Sequence, residues 1–162
     1  MNKDIDELNK KLKLAFSCIQ NNNHLEAIKI YEEILQENQN NFDANSNLGM
    51  LYAQHNNLEK SEEYLNKAIE IDQKNPYAFN NLASILIKLE KNEEAVKFSQ
   101  IAINLKENFS LAYNNLGLAQ QNIKKTDDAK ISFFKAIEAE KINVLPYYNL
   151  GFLYEKLNDI KN

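Results

Sequence analysis

The chain contains three glycines, and their spacing constrains its fold more than any other feature. Gly49, Gly117 and Gly151 lie 68 and 34 residues apart, two periods and one. Stepping back 34 residues from Gly117 reaches Ala83, and the same step from Gly49 reaches Ala15. The residues before these positions are Leu14, Leu48, Leu82, Leu116 and Leu150, with no insertion between them. Three further columns keep the register. They are Ala27, Ser61, Ala95 and Ala129; Ile34, Ala68, Ala102 and Ala136; and Leu35, Ile69, Ile103 and Ile137. A fixed period of this length marks an array of small supersecondary units, each burying its apolar face against the next.

Each unit reads as two helices. Segments near 42–55, 76–89 and 110–123 alternate with segments near 59–72, 93–106 and 127–140, and turn clusters such as Asn56-Asn57 and Lys91-Asn92 separate them. Pro76 and Pro146 stand at the start of first helices, where the missing N–H costs nothing. Asp127 and Glu93 suit the positive end of second helices. Glycine or alanine on the first helix and alanine on the second let the two backbones approach, while leucine and isoleucine fill the flanks. Three glycines and two prolines are too few for a β-rich fold or a Gly-rich phosphate loop. The fold class is all-α.

Phe79-Asn80-Asn81-Leu82-Ala83 with Ala95 and Ala102 resembles a tetratricopeptide repeat, as does Tyr113-Asn114-Asn115-Leu116-Gly117 with Ala129, Phe133 and Ala136. The resemblance spans residues 8–162 and implies a right-handed superhelical solenoid of antiparallel helix pairs. It divides a single domain, 1–162, into repeats 8–41, 42–75, 76–109 and 110–143 and a partial repeat 144–162. The first repeat departs from the pattern, with Lys11 at the opening aromatic and Ile34 at the last alanine. Gln73, Glu107 and Lys141 stand where the family closes with proline. These departures touch caps more than core.

The resemblance also implies a function, which is to bind a protein or an extended peptide in a concave groove lined by the first helices. That groove would receive Asn47, Asn81, Asn115 and Asn149, one per repeat, with Asn80 and Asn114 beside two of them and Tyr77 and Tyr148 as aromatic surface. Amides both donate and accept hydrogen bonds, so a column of them suits a peptide backbone of any sequence. Such a ladder resembles that of the protein O-GlcNAc transferases. The same column also suits helix-to-helix hydrogen bonding, and both roles stand open. Chaperone-binding members of the family use lysines and an arginine as a carboxylate clamp. Here the matching places hold Tyr77, Asn81, Leu111 and Asn115. Arrays of this kind also precede catalytic domains such as glycosyltransferases and sulfotransferases, which makes a substrate-recognition segment of a larger enzyme the alternative reading.

The rest of the sequence argues against other functions. Nineteen basic and 23 acidic residues give a net charge of −4, unlike a polyanion binder, so no nucleic-acid partner is expected. Cys18 is the single cysteine, which excludes an internal disulfide and a cysteine metal cluster. His24 and His55 read as solvated turn residues. No catalytic residues, metal or cofactor are expected, so the chain is not read as an enzyme. It shows no apolar signal core and no transmembrane stretch, and a cytoplasmic location off the membrane is expected. The last helix, from about Val144 to Leu157, keeps Leu150, Phe152, Leu153, Tyr154 and Leu157, a face that a following helix would cover. Capping, self-association through this helix, and continuation into a longer protein are all compatible with that.

Overall fold

The computed structural model describes residues 2–159. Among them the regular structure is helical: α1 (Asn2–Gln20), α2 (His24–Glu37), α3 (Phe42–Gln54), α4 (Leu58–Ile71), α5 (Pro76–Lys88), α6 (Asn92–Leu105), α7 (Ser110–Asn122), α8 (Thr126–Ala139) and α9 (Leu145–Asp159). Observed bounds fall within a residue or two of those read from the 34-residue period. The fold among the described residues is an all-α array of antiparallel helix pairs. Its contacts divide it into two compact units, Met1–Gln73 and Lys74–Asn162.

The hairpins close through one repeated device. Asn22, Asn56, Glu90 and Lys124 take positive φ, between 58° and 63°, and lie 34 residues apart. At each, the following N–H reaches back to a carbonyl five residues earlier. The four bonds are Asn23 to Cys18 at 2.8 Å, Asn57 to Tyr52 at 2.9 Å, Lys91 to Leu86 at 2.9 Å and Lys125 to Gln120 at 2.8 Å. This is the Schellman closure, which satisfies the orphan carbonyls of the first helix. Asparagine tolerates the left-handed region, whereas Glu90 and Lys124 carry a Cβ penalty there. A second device starts the next repeat. Asn41 Oδ1 accepts from Ala44 N at 2.8 Å, Asn75 Oδ1 from Tyr77 N at 3.0 Å, and Asn143 Oδ1 from Leu145 N at 3.2 Å. These asparagines are helix caps set one or two periods apart.

Within each hairpin the small column sets how closely the helices approach. A Cβ on Gly49 would lie 2.6 Å from Leu65 Cγ of α4, and one on Gly117 would lie 2.6 Å from Phe133 Cε1 of α8. The second-helix columns Ala27, Ser61, Ala95 and Ala129 are fully buried, as are Ile34, Ala68, Ala102 and Ala136. In the first unit the core gathers Ala15, Ala27, Tyr31, Ile34, Leu48 and Leu51. In the second, Ala129 and Phe133 pack with Leu150 and Leu153, which are therefore buried within the unit. Leu14 breaks its own column. Leu48, Leu82, Leu116 and Leu150 are buried, but Leu14 is 57% exposed because no earlier repeat lies over it among the described residues.

Tyr31 gives the first unit an alkaline limit. Burial, aided by the negative charges of Asp43 and Cys18, pushes its phenol up to about 12. An unfolded tyrosine titrates near 10, so the fold holds this proton more tightly than the unfolded chain does. The stabilisation is complete below pH 10 and is lost as pH rises towards 12, amounting to about 2–3 kcal/mol. Tm should fall across that window, and Tyr31→Phe should flatten part of the fall. An equally steep fall in the variant would contradict this origin.

Candidate functional site

The first-helix asparagines divide into two layers. In the second unit Asn115 Nδ2 donates to the backbone O of Asn80 at 3.3 Å and to its Oδ1 at 3.0 Å. Asn149 Nδ2 donates in the same way to Asn114 Oδ1 at 2.8 Å. Asn80 and Asn114 are only 6% and 5% exposed. They form the inner layer, accepting from the next repeat and tying α5 to α7 and α7 to α9. Asn81, Asn115 and Asn149 form the outer, half-buried layer. The helix-to-helix role open to this column is thus realised in the second unit, and it uses amides of both layers.

In the first unit Asn47 is half-buried and its Nδ2 donates to the carbonyl of Asp43 one turn earlier, at 2.8 Å. It lines an open pocket of about 410 Å³ between α1 and α3, together with Leu12, Lys13, Phe16, Tyr31 and Asp43. The pocket has an apolar wall from α1 and a carboxylate and amide from α3. Phe16 was not singled out in the sequence, although its column, Met50, Ser84, Leu118 and Phe152, is apolar at all but one place.

The two tyrosines differ. Tyr77 is held in place: its ring meets Phe109 edge-on at 5.1 Å, its hydroxyl accepts from Lys106 Nζ at 2.8 Å, and that ammonium lies 4.7 Å from its ring centroid. Tyr148 is 72% exposed. Leu111 and Phe152 are also exposed on first helices of this unit.

A larger hollow, about 930 Å³, lies on the second-helix side of the first unit, lined by Glu32, Gln36, Asn45, Tyr64, Lys67 and Glu70 among others. Beside it Tyr52 donates to Glu32 Oε1 at 2.8 Å and stacks on Tyr64 with centroids 5.5 Å apart. Burial first, then the Glu32 bond and charge, raises the Tyr52 phenol above its ordinary value. Burial raises Tyr64 too. Glu32 is therefore held by Tyr52 and is not merely a solvated acid of the outer face. Nothing about the hollow was legible in the repeat, since Tyr64 and Glu32 belong to no invariant column.

One expectation needs correction. His24 and His55 are not simply solvated turn residues; their rings meet edge-on at 5.6 Å, joining two interhelical turns. Cys18 is partly buried and packs at the margin of the core. Among the described residues no group of three or more His, Cys, Asp or Glu is placed to hold a metal ion. No helix among them is long and apolar enough to cross a membrane.

Comparison with known proteins bears on the whole array. Models described as tetratricopeptide repeat match residues 19–85, and again residues 76–109 and 111–143. No curated protein matches the sequence. Among solved structures, MamA from Desulfovibrio magneticus RS-1 is 17% identical, with a TM-score of 0.85 over 96% of this chain and 88% of that one. YrrB, described as a TPR protein with an unusual peptide-binding site, is 24% identical, with a TM-score of 0.77 over 97% and 83%. The first TPR of Spaghetti (RPAP3), bound to an HSP90 peptide, is 23% identical, with a TM-score of 0.66 over 70% and 90%. At these identities the likeness is one of fold. The family models, however, cover well over half of the chain: this protein belongs to the tetratricopeptide repeat family.

Proposed function

We propose that this chain is a protein-interaction module that binds an extended peptide on the face of its first helices, and that it works by binding, not catalysis. The observation that carries the reading is the two-layer asparagine arrangement. Asn115 and Asn149 are each held by the preceding repeat through bonds of 2.8–3.3 Å. An amide already fixed in this way loses little conformational entropy when a ligand arrives. Being half-buried, these side chains keep part of their polar surface at the face, next to exposed Tyr148, Leu111 and Phe152. In the first unit the pocket bearing Asn47 and Phe16 pairs an amide with an apolar wall. In the second unit Asn81, Asn115 and Asn149 would meet the peptide backbone while Tyr77 and Tyr148 would select side chains, and in the first unit Asn47 would meet a backbone from its own pocket. Asn80 and Asn114 would act from beneath, as the acceptors that orient the outer layer.

The solved relatives support a peptide as the ligand, since YrrB is described with a peptide-binding site and the RPAP3 repeat holds an HSP90 peptide. The clamp positions Tyr77, Asn81, Leu111 and Asn115 carry no formal charge. They favour recognition of backbone and apolar side chains over a terminal carboxylate.

Peptides selected from a random displayed library provide the test. Tyr148→Ala removes an exposed ring without opening the core, and Asn81→Ala with Asn115→Ala removes two outer amides. Each change should weaken binding of the selected peptides about tenfold, the loss of roughly one well-formed contact, with helicity retained by circular dichroism. Equal affinity in both variants would sink the reading.

A further inference from the structure

One position of the repeat is aromatic throughout the second unit, as Phe79, Tyr113 and Tyr147, and polar in the first, as Lys11 and Asn45. In the second unit this ring works against the second helix of its hairpin. Phe79 stacks on Phe98 with centroids 6.1 Å apart, and the Tyr113 ring lies 5.8 Å from Lys135 Nζ. One period before Phe98 stands Tyr64. Its ring is present, stacked on Tyr52, but the place of Phe79 is taken by the shorter amide of Asn45. The hollow of about 930 Å³ lies there, with Asn45 and Tyr64 both in its lining. The sequence carries the substitution, and only the structure shows the space it leaves.

Asn45 is fully buried, and its amide cannot turn over. Its Nδ2 donates to the carbonyls of Gln39 at 3.0 Å and Asn41 at 2.9 Å, which fixes Oδ1 as the other end. That oxygen accepts no hydrogen bond from any described residue. A buried acceptor left in this way lowers stability until a donor reaches it. The charges of the lining favour a donor that is positive. Glu32 and Glu70 contribute two carboxylates, the first held through Oε1 by the Tyr52 hydroxyl at 2.8 Å. Lys67 is the single base of the lining, and its ammonium is met by Glu63 at 2.6 Å. Leu35, Ile71 and Tyr64 supply apolar wall for an alkyl stem. All these residues belong to the first unit, and α2 and α4 have described helices before and after them, so the opening is not produced by an end of the chain.

We propose that this hollow receives an arginine side chain of a partner protein. The guanidinium is planar and permanently charged, with N–H donors on every edge and no acceptor. It suits a site made of acceptors, giving paired bonds to a carboxylate of Glu32 or Glu70 and a further N–H to Asn45 Oδ1. Its flat head takes the place that the Phe79 ring holds in the second unit, and its stem lies along the apolar wall. A phenylalanine would fill the same space, but it would leave Asn45 Oδ1 without a donor and strip water from two carboxylates. The site lies on the second-helix side and is therefore separate from the first-helix face.

The probe is the peptide acetyl-Gly-Arg-Gly-amide, titrated into the full isotope-labelled chain and followed by NMR. The side-chain amide of Asn45 and the backbone amides of Tyr64 and Glu70 should shift saturably. The same peptide with citrulline keeps the shape and loses the charge. It should bind about tenfold more weakly, because hydrogen bonds from an ionised donor are roughly twice as strong as neutral ones. Asn45→Phe restores the residue type of the second unit and fills the hollow, so the shifts at Tyr64 and Glu70 should vanish with helicity retained. Glu70→Gln alters charge alone at an exposed position and should weaken binding severalfold, which keeps the test decisive if Asn45→Phe disturbs the core. Tyr148→Ala should leave the titration unaltered, which separates this site from the first-helix face. No saturable shift at these positions, equal affinity for the citrulline peptide, or undiminished binding by Glu70→Gln overturns the proposal. So does tighter binding of acetyl-Gly-Phe-Gly-amide, since that outcome gives the hollow to an aromatic side chain.

Discussion

Phe133→Ala should lower the stability of the Lys74–Asn162 unit by about 3–5 kcal/mol, the usual cost of deleting a buried aromatic ring. Three features put this residue at the high end of the structure's side chains. It is fully buried, it fills the space above Gly117, and it also packs with Ala129, Leu150 and Leu153. Its loss therefore opens a cavity between α7, α8 and α9, in place of a surface dent that solvent could fill. On one side α7 is tied to α8 through the Schellman closure at Lys124 and cannot collapse far. Urea denaturation followed by circular dichroism gives the measurement. A midpoint shift equivalent to less than about 1 kcal/mol would mean that α8 repacks freely, contrary to the close approach seen here.

Gly117→Leu probes the same contact from the other side. The glycine leaves no room, because a bare Cβ would already lie 2.6–3.0 Å from three atoms of the Phe133 ring. The ring cannot swing aside without leaving its packed position, so α7 and α8 must separate. The expected cost is about 3 kcal/mol, at the upper end of ordinary overpacking. Helix propensity works in the opposite direction, since leucine is favoured over glycine by just under about 1 kcal/mol in a helix interior. Packing wins because the clash involves a ring and not the mobile end of a side chain. Gly151→Leu is the internal control. It makes the same propensity change where nothing lies within 4 Å, and should leave the midpoint level or slightly raised. Equal destabilisation by both substitutions would show that the glycine column acts through the backbone and not through contact. In a double-mutant cycle Gly117→Leu and Phe133→Ala should couple, the added leucine partly filling what the lost ring leaves.

The asparagines show how far a sequence can be read here. Their number had no single meaning, because the composition is rich in asparagine throughout. The structure assigns them different physical roles. Asn22 and Asn56 take the left-handed turn, Asn41, Asn75 and Asn143 cap helices, and Asn80 and Asn114 accept from the next repeat. The turn was legible at Asn56 because its side chain favours that conformation. It was not legible at Glu90 or Lys124, where the same φ is imposed by the hairpin that the flanking helices require.

By itself, the sequence determined the period, the helical class, the pairing of helices and the positions of closest approach. A column of glycine and alanine at 34-residue spacing admits little else, because steric exclusion is local and repeats with the chain. Only the tertiary structure decided which amides face solvent and which lie beneath, that Leu14 is exposed while its counterparts are buried, and that Gly151 stands open while Gly117 is filled. Those outcomes depend on what lies across the helix from each residue. That neighbour comes from another repeat, or from none among the described residues, and a residue's place in the period does not reveal it.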